Sequence, residues 1–158
     1  MLEFGISPNA LQGAGPIIVT YVGITNAHKA ALEAEGKPVP KHVKCRLLID
    51  TGATTTMVAH DIAELAGLKL ISTNVPVHGV GVDTSGRAYL GQVLFVSASK
   101  KNPDAQHVMS VDTKILSGEF PMARDRIDGL IGRDVLRFFD FRYNGETGVF
   151  SMRYLRQN

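Results

Sequence analysis

The chain has 158 residues, 44% hydrophobic and 20% charged, the balance of an ordinary globular protein long enough to bury its own core. A net charge of +2 is too small to favour nucleic acid or an anionic membrane surface, and no Lys/Arg cluster with interleaved aromatics occurs, so neither partner is expected. Cys45 is the single cysteine, which excludes an internal disulfide and a paired-cysteine metal or redox motif; within its strand-like run it reads as a small packed hydrophobe.

Residues 1–15 are punctuated by Gly, Asn and Pro and are expected to form a loose N-terminal segment, with one domain over 16–158. Met1-Leu2-Glu3-Phe4-Gly5 lacks the basic and apolar regions of a signal peptide. No apolar run reaches the roughly 18 residues that span a bilayer, so a soluble, cytoplasmic chain is the expectation. Pro16–Ile24 is short and β-branched and predicts a strand. Asn26–Lys41 reads as a surface excursion, with room for a helical turn or two at His28–Glu35 before Gly36 and Pro38 end it. Val43–Asp50 predicts an interior strand, since its end is almost unbroken apolar sequence.

Thr55–Leu68 is expected to be helical, with Val58, Ile62, Leu65 and Ala66 on one face and Gly67 near its end. Val75–Val82 and Ala88–Ala98 read as the two arms of a hairpin that turns at Asp83-Thr84-Ser85-Gly86. Lys100–Gln106 is a polar loop and Val108–Ile115 a further short strand. Asp128–Leu136 begins as a buried strand and turns into a short helix, and Phe139–Tyr143 with Val149–Tyr154 flank a turn at Asn144–Gly148. Many short strands with one or two helices predict a mainly β, closed domain.

The chemistry concentrates where Leu47-Leu48-Ile49 runs into Asp50-Thr51-Gly52-Ala53. A carboxylate just past a buried strand needs hydrogen-bond donors or a proton-sharing partner, because desolvation penalises its charge. The glycine after it permits a sharp turn and close approach by another chain. About eighty residues on stands a second apolar strand, Leu130-Ile131, followed by Gly132-Arg133-Asp134-Val135-Leu136. No Gly-x-Ser-x-Gly turn exists, Cys45 sits inside a strand, and His28, His42, His60, His78 and His107 lack metal-ligand spacing, so serine, cysteine and metal chemistry are not expected.

Asp-Thr-Gly-Ala followed at that distance by Leu-Ile-Gly-Arg-Asp resembles the retropepsin family, the retroviral aspartic proteases and their cellular relatives, over roughly Val43 to Tyr154. The resemblance implies a closed acid-protease barrel with a flap hairpin and one or two short helices. It implies a catalytic Asp50, with Thr51 bonding across paired loops and Gly52 offering its carbonyl to substrate. Ala53 and Thr54 would complete that loop. Leu130, Ile131, Gly132 and Arg133 would support Asp50 and line a specificity pocket. His78-Gly79-Val80-Gly81 takes the position of the flap over bound peptide. The implied activity is aspartic endopeptidase, a hydrolase of peptide bonds in peptide or protein substrates, with no cofactor.

Peptide hydrolysis of this kind needs one carboxylate to activate water and a second, protonated, to donate to the scissile carbonyl. In aspartic proteases two such groups about 3 Å apart share a proton and titrate as a pair. The chain holds one Asp-Thr-Gly and is about half the length of a two-lobed pepsin, so the second carboxylate would be Asp50 of another copy in a C2 homodimer. The strands at Phe139–Tyr143 and Val149–Tyr154 would then contribute to a sheet shared between copies. Thr54 stands where viral enzymes often carry Asp, so Arg133 must find another acceptor, a backbone carbonyl or Asp134. The alternative reading is a dimeric peptide-binding module that keeps the fold and cleaves poorly or not at all. A third is a zinc-linked protease family that shares Asp-Thr-Gly-Ala.

Overall fold

The computed structural model describes residues 2–79, 82–98, 106–118 and 127–155. The chain opens with β1 (Leu2–Gly5), α1 (Pro8–Ala14), β2 (Ile17–Gly23), α2 (Asn26–Ala34) and β3 (Val43–Ile49). Then come β4 (Met57–Ala59), α3 (His60–Leu65), β5 (Lys69–Gly79), β6 (Val82–Ala98) and β7 (Gln106–Gly118). β8 (Gly129–Ile131), α4 (Arg133–Leu136), β9 (Phe139–Asn144) and β10 (Val149–Tyr154) follow.

Strands β2, β3, β8, β4, β7 and β6 are hydrogen-bonded in that order. β6 returns to β2 through Tyr21–Leu94, Val22–Val93 and Gly23–Gln92, which closes a six-stranded barrel. The expected mainly β, closed barrel is therefore what the chain forms. Alternation along the strands drives closure: Ile18 and Val22 of β2, Leu47 and Ile49 of β3, Val93 and Phe95 of β6 and Ile131 of β8 are each at most 4% exposed. The interior is a filled core and not a channel. A second sheet, β1-β10-β9, packs against the barrel, with the Phe139 ring 4.9 Å from that of Phe95 and joined to the same apolar cluster.

β8 decides the layout of the site. It lies between β3 and β4, parallel to the first (Leu48 opposite Leu130, Ile49 opposite Ile131) and antiparallel to the second (Met57 opposite Leu130). β3 and β4 are thereby held about 10 Å apart, two strand spacings. The chain from Asp50 to Thr56 must bridge that gap as a loop.

Three sequence expectations are corrected. The segment expected to be loose over 1–15 is ordered from Leu2 on: β1 pairs with β10 from Leu2–Met152 to Gly5–Val149, and the Phe4 ring stacks on Phe150 at 5.1 Å. α1 is started by Ser7, whose hydroxyl accepts from Ala10 N, and by Pro8 in its first turn, and it buries Leu11 in the core. Alternation of Leu2 and Phe4 over so short a stretch was masked by the turn residues around it. The helix expected over Thr55–Leu68 is confined to α3, because Met57 and Val58 are drawn into the sheet between β8 and β7; Leu65, placed on its buried face, is 68% exposed. Asp83–Gly86 is not a turn either. It continues β6 opposite Val75–His78, and the strands meet at Gly79 and Val82. A register irregularity between Leu70 and Val75, with Asn74 in the left-handed region at φ 56°, lets this hairpin run on. The polar loop expected at Lys100–Gln106 lies outside the described residues except for Gln106.

β10 has both edges filled within the chain, by β1 and β9, so it is an internal strand and not a free one. Across the hairpin the Arg153 guanidinium bonds Asp140 at 2.7 Å and holds its carboxyl below the usual carboxylate range. Among the described residues no helix is long and apolar enough to cross a membrane.

Cys45 is 2% exposed inside the core. Burial first, and the nearby Asp128 charge second, push its thiol up from 9.0 to about 12. Keeping the neutral thiol buried therefore contributes to stability below pH 9.0, a contribution lost as pH rises from there toward 12. Native protein should resist thiol-alkylating reagents at mildly alkaline pH and react fully once unfolded in urea. Rapid labelling of the folded chain would contradict this placement.

Candidate active site

Asp50 sits one residue past β3, with its amide donating to the Ile131 carbonyl of β8 at 3.0 Å. Its Oδ1 accepts from the amides of Gly52 at 2.8 Å and Ala53 at 3.3 Å, while the Ala53 amide also reaches the Asp50 carbonyl at 3.2 Å. The turn is an Asp side chain capping its own loop, which is why Asp followed by a small flexible pair is needed here. Oδ2 of Asp50 and the hydroxyl of Thr51 have no partner among the described residues. Asp50 is partly exposed, and Thr51 and Gly52 are exposed. The loop thus presents a half-satisfied carboxylate and a free hydroxyl at an accessible apex.

Arg133 holds that apex from below. Its Nη1 donates to the carbonyls of Thr51 (2.8 Å) and Gly52 (2.9 Å), and Nη2 donates to Thr54 Oγ1 at 3.1 Å. The backbone repeats the connection, with Arg133 N on the Ala53 carbonyl at 2.9 Å and Asp134 N on that of Thr54 at 3.2 Å. Of the two kinds of acceptor open to Arg133, it takes the carbonyls, and Thr54 adds a hydroxyl where a carboxylate would have made an ion pair. The Gly52 carbonyl keeps a second lone pair, so its bond to Arg133 leaves it able to accept one further hydrogen bond.

Gly132 is required by close approach: a Cβ there would lie 2.6 Å from the Thr55 carbonyl carbon and 2.9 Å from its nitrogen and oxygen. Ile131 is fully buried and Leu130 partly so, and both belong to β8 beneath the loop. Asp50–Thr54 and Leu130–Arg133, eighty residues apart in sequence, therefore form one hydrogen-bonded unit. His78 and Gly79 end β5 in the long hairpin, and Val80 and Gly81 lie outside the described residues.

Sequence reasoning missed a second clasp below the first. Asp134 Oδ1 accepts from the Thr56 amide at 2.9 Å and its hydroxyl at 2.8 Å, and Oδ2 accepts from the Thr113 hydroxyl of β7 at 2.8 Å. The Thr56 hydroxyl in turn accepts from Gly132 N at 3.1 Å. Thr56 is completely buried, and its only signal was a polar β-branched residue at the start of an apolar run. Thr113, far away in sequence, carried none.

The model of an aspartyl protease family matches residues 30–135 of this chain, about two thirds of its length. The chain belongs to that aspartyl protease family, which is of the retropepsin-like type. No curated protein matches the chain.

Asp134→Ala would leave the buried Thr56 amide and two hydroxyls without an acceptor, and should destabilise the protein by about 3 kcal/mol. Asp134→Asn keeps an acceptor for Thr56 and can donate to Thr113, so it should cost only about 1 kcal/mol. Urea unfolding midpoints at constant slope would read the difference. Equal losses for the two variants would show that the clasp does not work through these bonds.

Proposed function

We propose that this chain is an aspartic endopeptidase that works as a homodimer. One Asp50 carboxylate acts as general base on a bound water while Asp50 of the second copy, protonated, donates to the scissile carbonyl. The observation that carries this reading is the half-satisfied Asp50: Oδ1 is held by two amides and Oδ2 has no partner among the described residues, in an Asp-Thr-Gly motif that occurs once in the chain. A lone carboxylate has no proton partner to supply the acid half of the reaction. The unpartnered Thr51 hydroxyl beside it fits a bond to the facing loop of the other copy.

Among the described residues the outer edges of β1 and β9 are the unpaired edges of the terminal sheet, and there the second copy would add its strands. Extended peptide would bind across the paired loops beneath the β5–β6 hairpin, pairing with it as an added strand, with the hairpin as flap. The twofold arrangement places two Arg133 residues behind two Asp50 loops, so each carboxylate approaches the other on a braced backbone.

Asp50→Asn preserves the oxygen that accepts from Gly52 and Ala53, so the fold should persist while cleavage of denatured casein falls roughly a thousandfold. Wild-type cleavage should follow a bell-shaped profile on the acidic side of neutrality and should stop with pepstatin. Undiminished proteolysis by the Asn variant would refute the mechanism. Sedimentation over a dilution series should show twice the chain mass at high concentration, and specific activity should fall with dilution as the dimer dissociates. A chain that is monomeric throughout and does not cleave would favour the peptide-binding alternative.

A further inference from the structure

The excursion between β2 and β3 is longer than a connection needs to be. After Thr25 caps α2 through His28 N, the helix and the residues up to His42 fold back over the outside of the barrel, where β2 and β6 close it. They do not seal against that surface. A cavity of about 510 Å³ remains, within the size range of small-molecule sites. Its barrel side is apolar, made by Tyr21, Ile24, Leu94, Val96 and the 61% exposed Val108; the excursion adds Val39 and Pro40. No residue of Asp50–Thr54 or Leu130–Arg133 lines it, so it is separate from the candidate active site.

The polar part of the lining is basic. Lys29, Lys41 and His42 contribute to it beside the Tyr21 hydroxyl, and among the described residues no carboxylate does. Lys29 is shared with Glu33 at 3.8 Å, but Lys41 and His42 have no carboxylate partner among the described residues. The His42 ring is seated on Gly23: a Cβ at residue 23 would come within 2.2 Å of its Cδ2, so a bare glycine surface holds the ring at the cavity edge.

We infer that this cavity is a binding site for a small apolar-tailed carboxylate, with the tail on Leu94, Val96 and Val108 and the carboxylate at Lys41 and His42. Apolar walls supply the affinity and the basic rim selects the charge, the usual division in such sites. The inference does not depend on proteolysis, because the site and its ligand can be measured in a chain that cleaves nothing.

The test is titration of the full isotope-labelled chain with octanoate and, separately, octanol, followed by amide chemical shifts. Octanoate should give saturable shifts centred on Ile24, Leu94 and Val96 and bind about fivefold more tightly than octanol, the effect of a solvent-screened charge contact at Lys41. Lys41→Gln, an exposed change that leaves the fold alone, should weaken octanoate and leave octanol unaltered. Val108→Trp, which fills the mouth from an exposed strand position, should weaken both. Scattered shifts without saturation, or equal affinity for octanoate and octanol, would overturn the assignment. So would tighter binding of a short peptide ending in a free leucine carboxylate, which would give the site to a chain terminus.

Discussion

The placement of β8 between β3 and β4 is the constraint on which the rest of the site depends. A three-residue strand, parallel to one neighbour and antiparallel to the other, separates two strands that are adjacent in sequence. Asp50–Thr56 is forced out as a loop, and the residues that follow β8 emerge directly beneath it. Asp128 secures the entry of β8: its carboxylate accepts from Arg46 N at 2.7 Å, and its carbonyl accepts from Ala59 N at 2.8 Å. Both flanking strands are thus gripped at the level where β8 begins.

From that position the short segment Gly132-Arg133-Asp134 performs three different tasks. Gly132 permits contact with the Thr55 backbone, Arg133 reaches outward to the apex carbonyls, and Asp134 reaches inward to Thr56 and Thr113. The cation is spent on carbonyls at the surface, where screening makes each bond weak but the fork fixes geometry. The anion is spent on neutral donors in a partly buried place, where leaving them unpaired would be costly. Adjacent opposite charges therefore do not pair with one another, and a loop of seven residues is held at its tip and its root.

Much of this was legible residue by residue. Leu-Leu-Ile before Asp50 and Leu-Ile before Gly132 announced two buried strands, and their family resemblance joined them. The terminal hairpin could be read from its turn residues. What escaped were elements whose local signal was weak or misleading. Val58 has helical spacing with Ile62 and Ala66, yet the pairing of Met57 and Val58 with β7 and β8 outweighs propensity over so short a run. Leu2 and Phe4 become a strand only because Phe150 and Met152 wait opposite them.

The sequence by itself determined the class of fold and the identity of the acidic loop, because strand periodicity and Asp-Thr-Gly are local properties of neighbouring residues. The tertiary structure decided what holds that loop and what lies apart from it. The Arg133 carbonyl contacts, the Thr56–Asp134–Thr113 clasp and the basic-rimmed cavity each join residues from distant parts of the chain. Contacts of that kind leave no periodic trace in the sequence, since they exist only once β8 has been threaded and the barrel has closed.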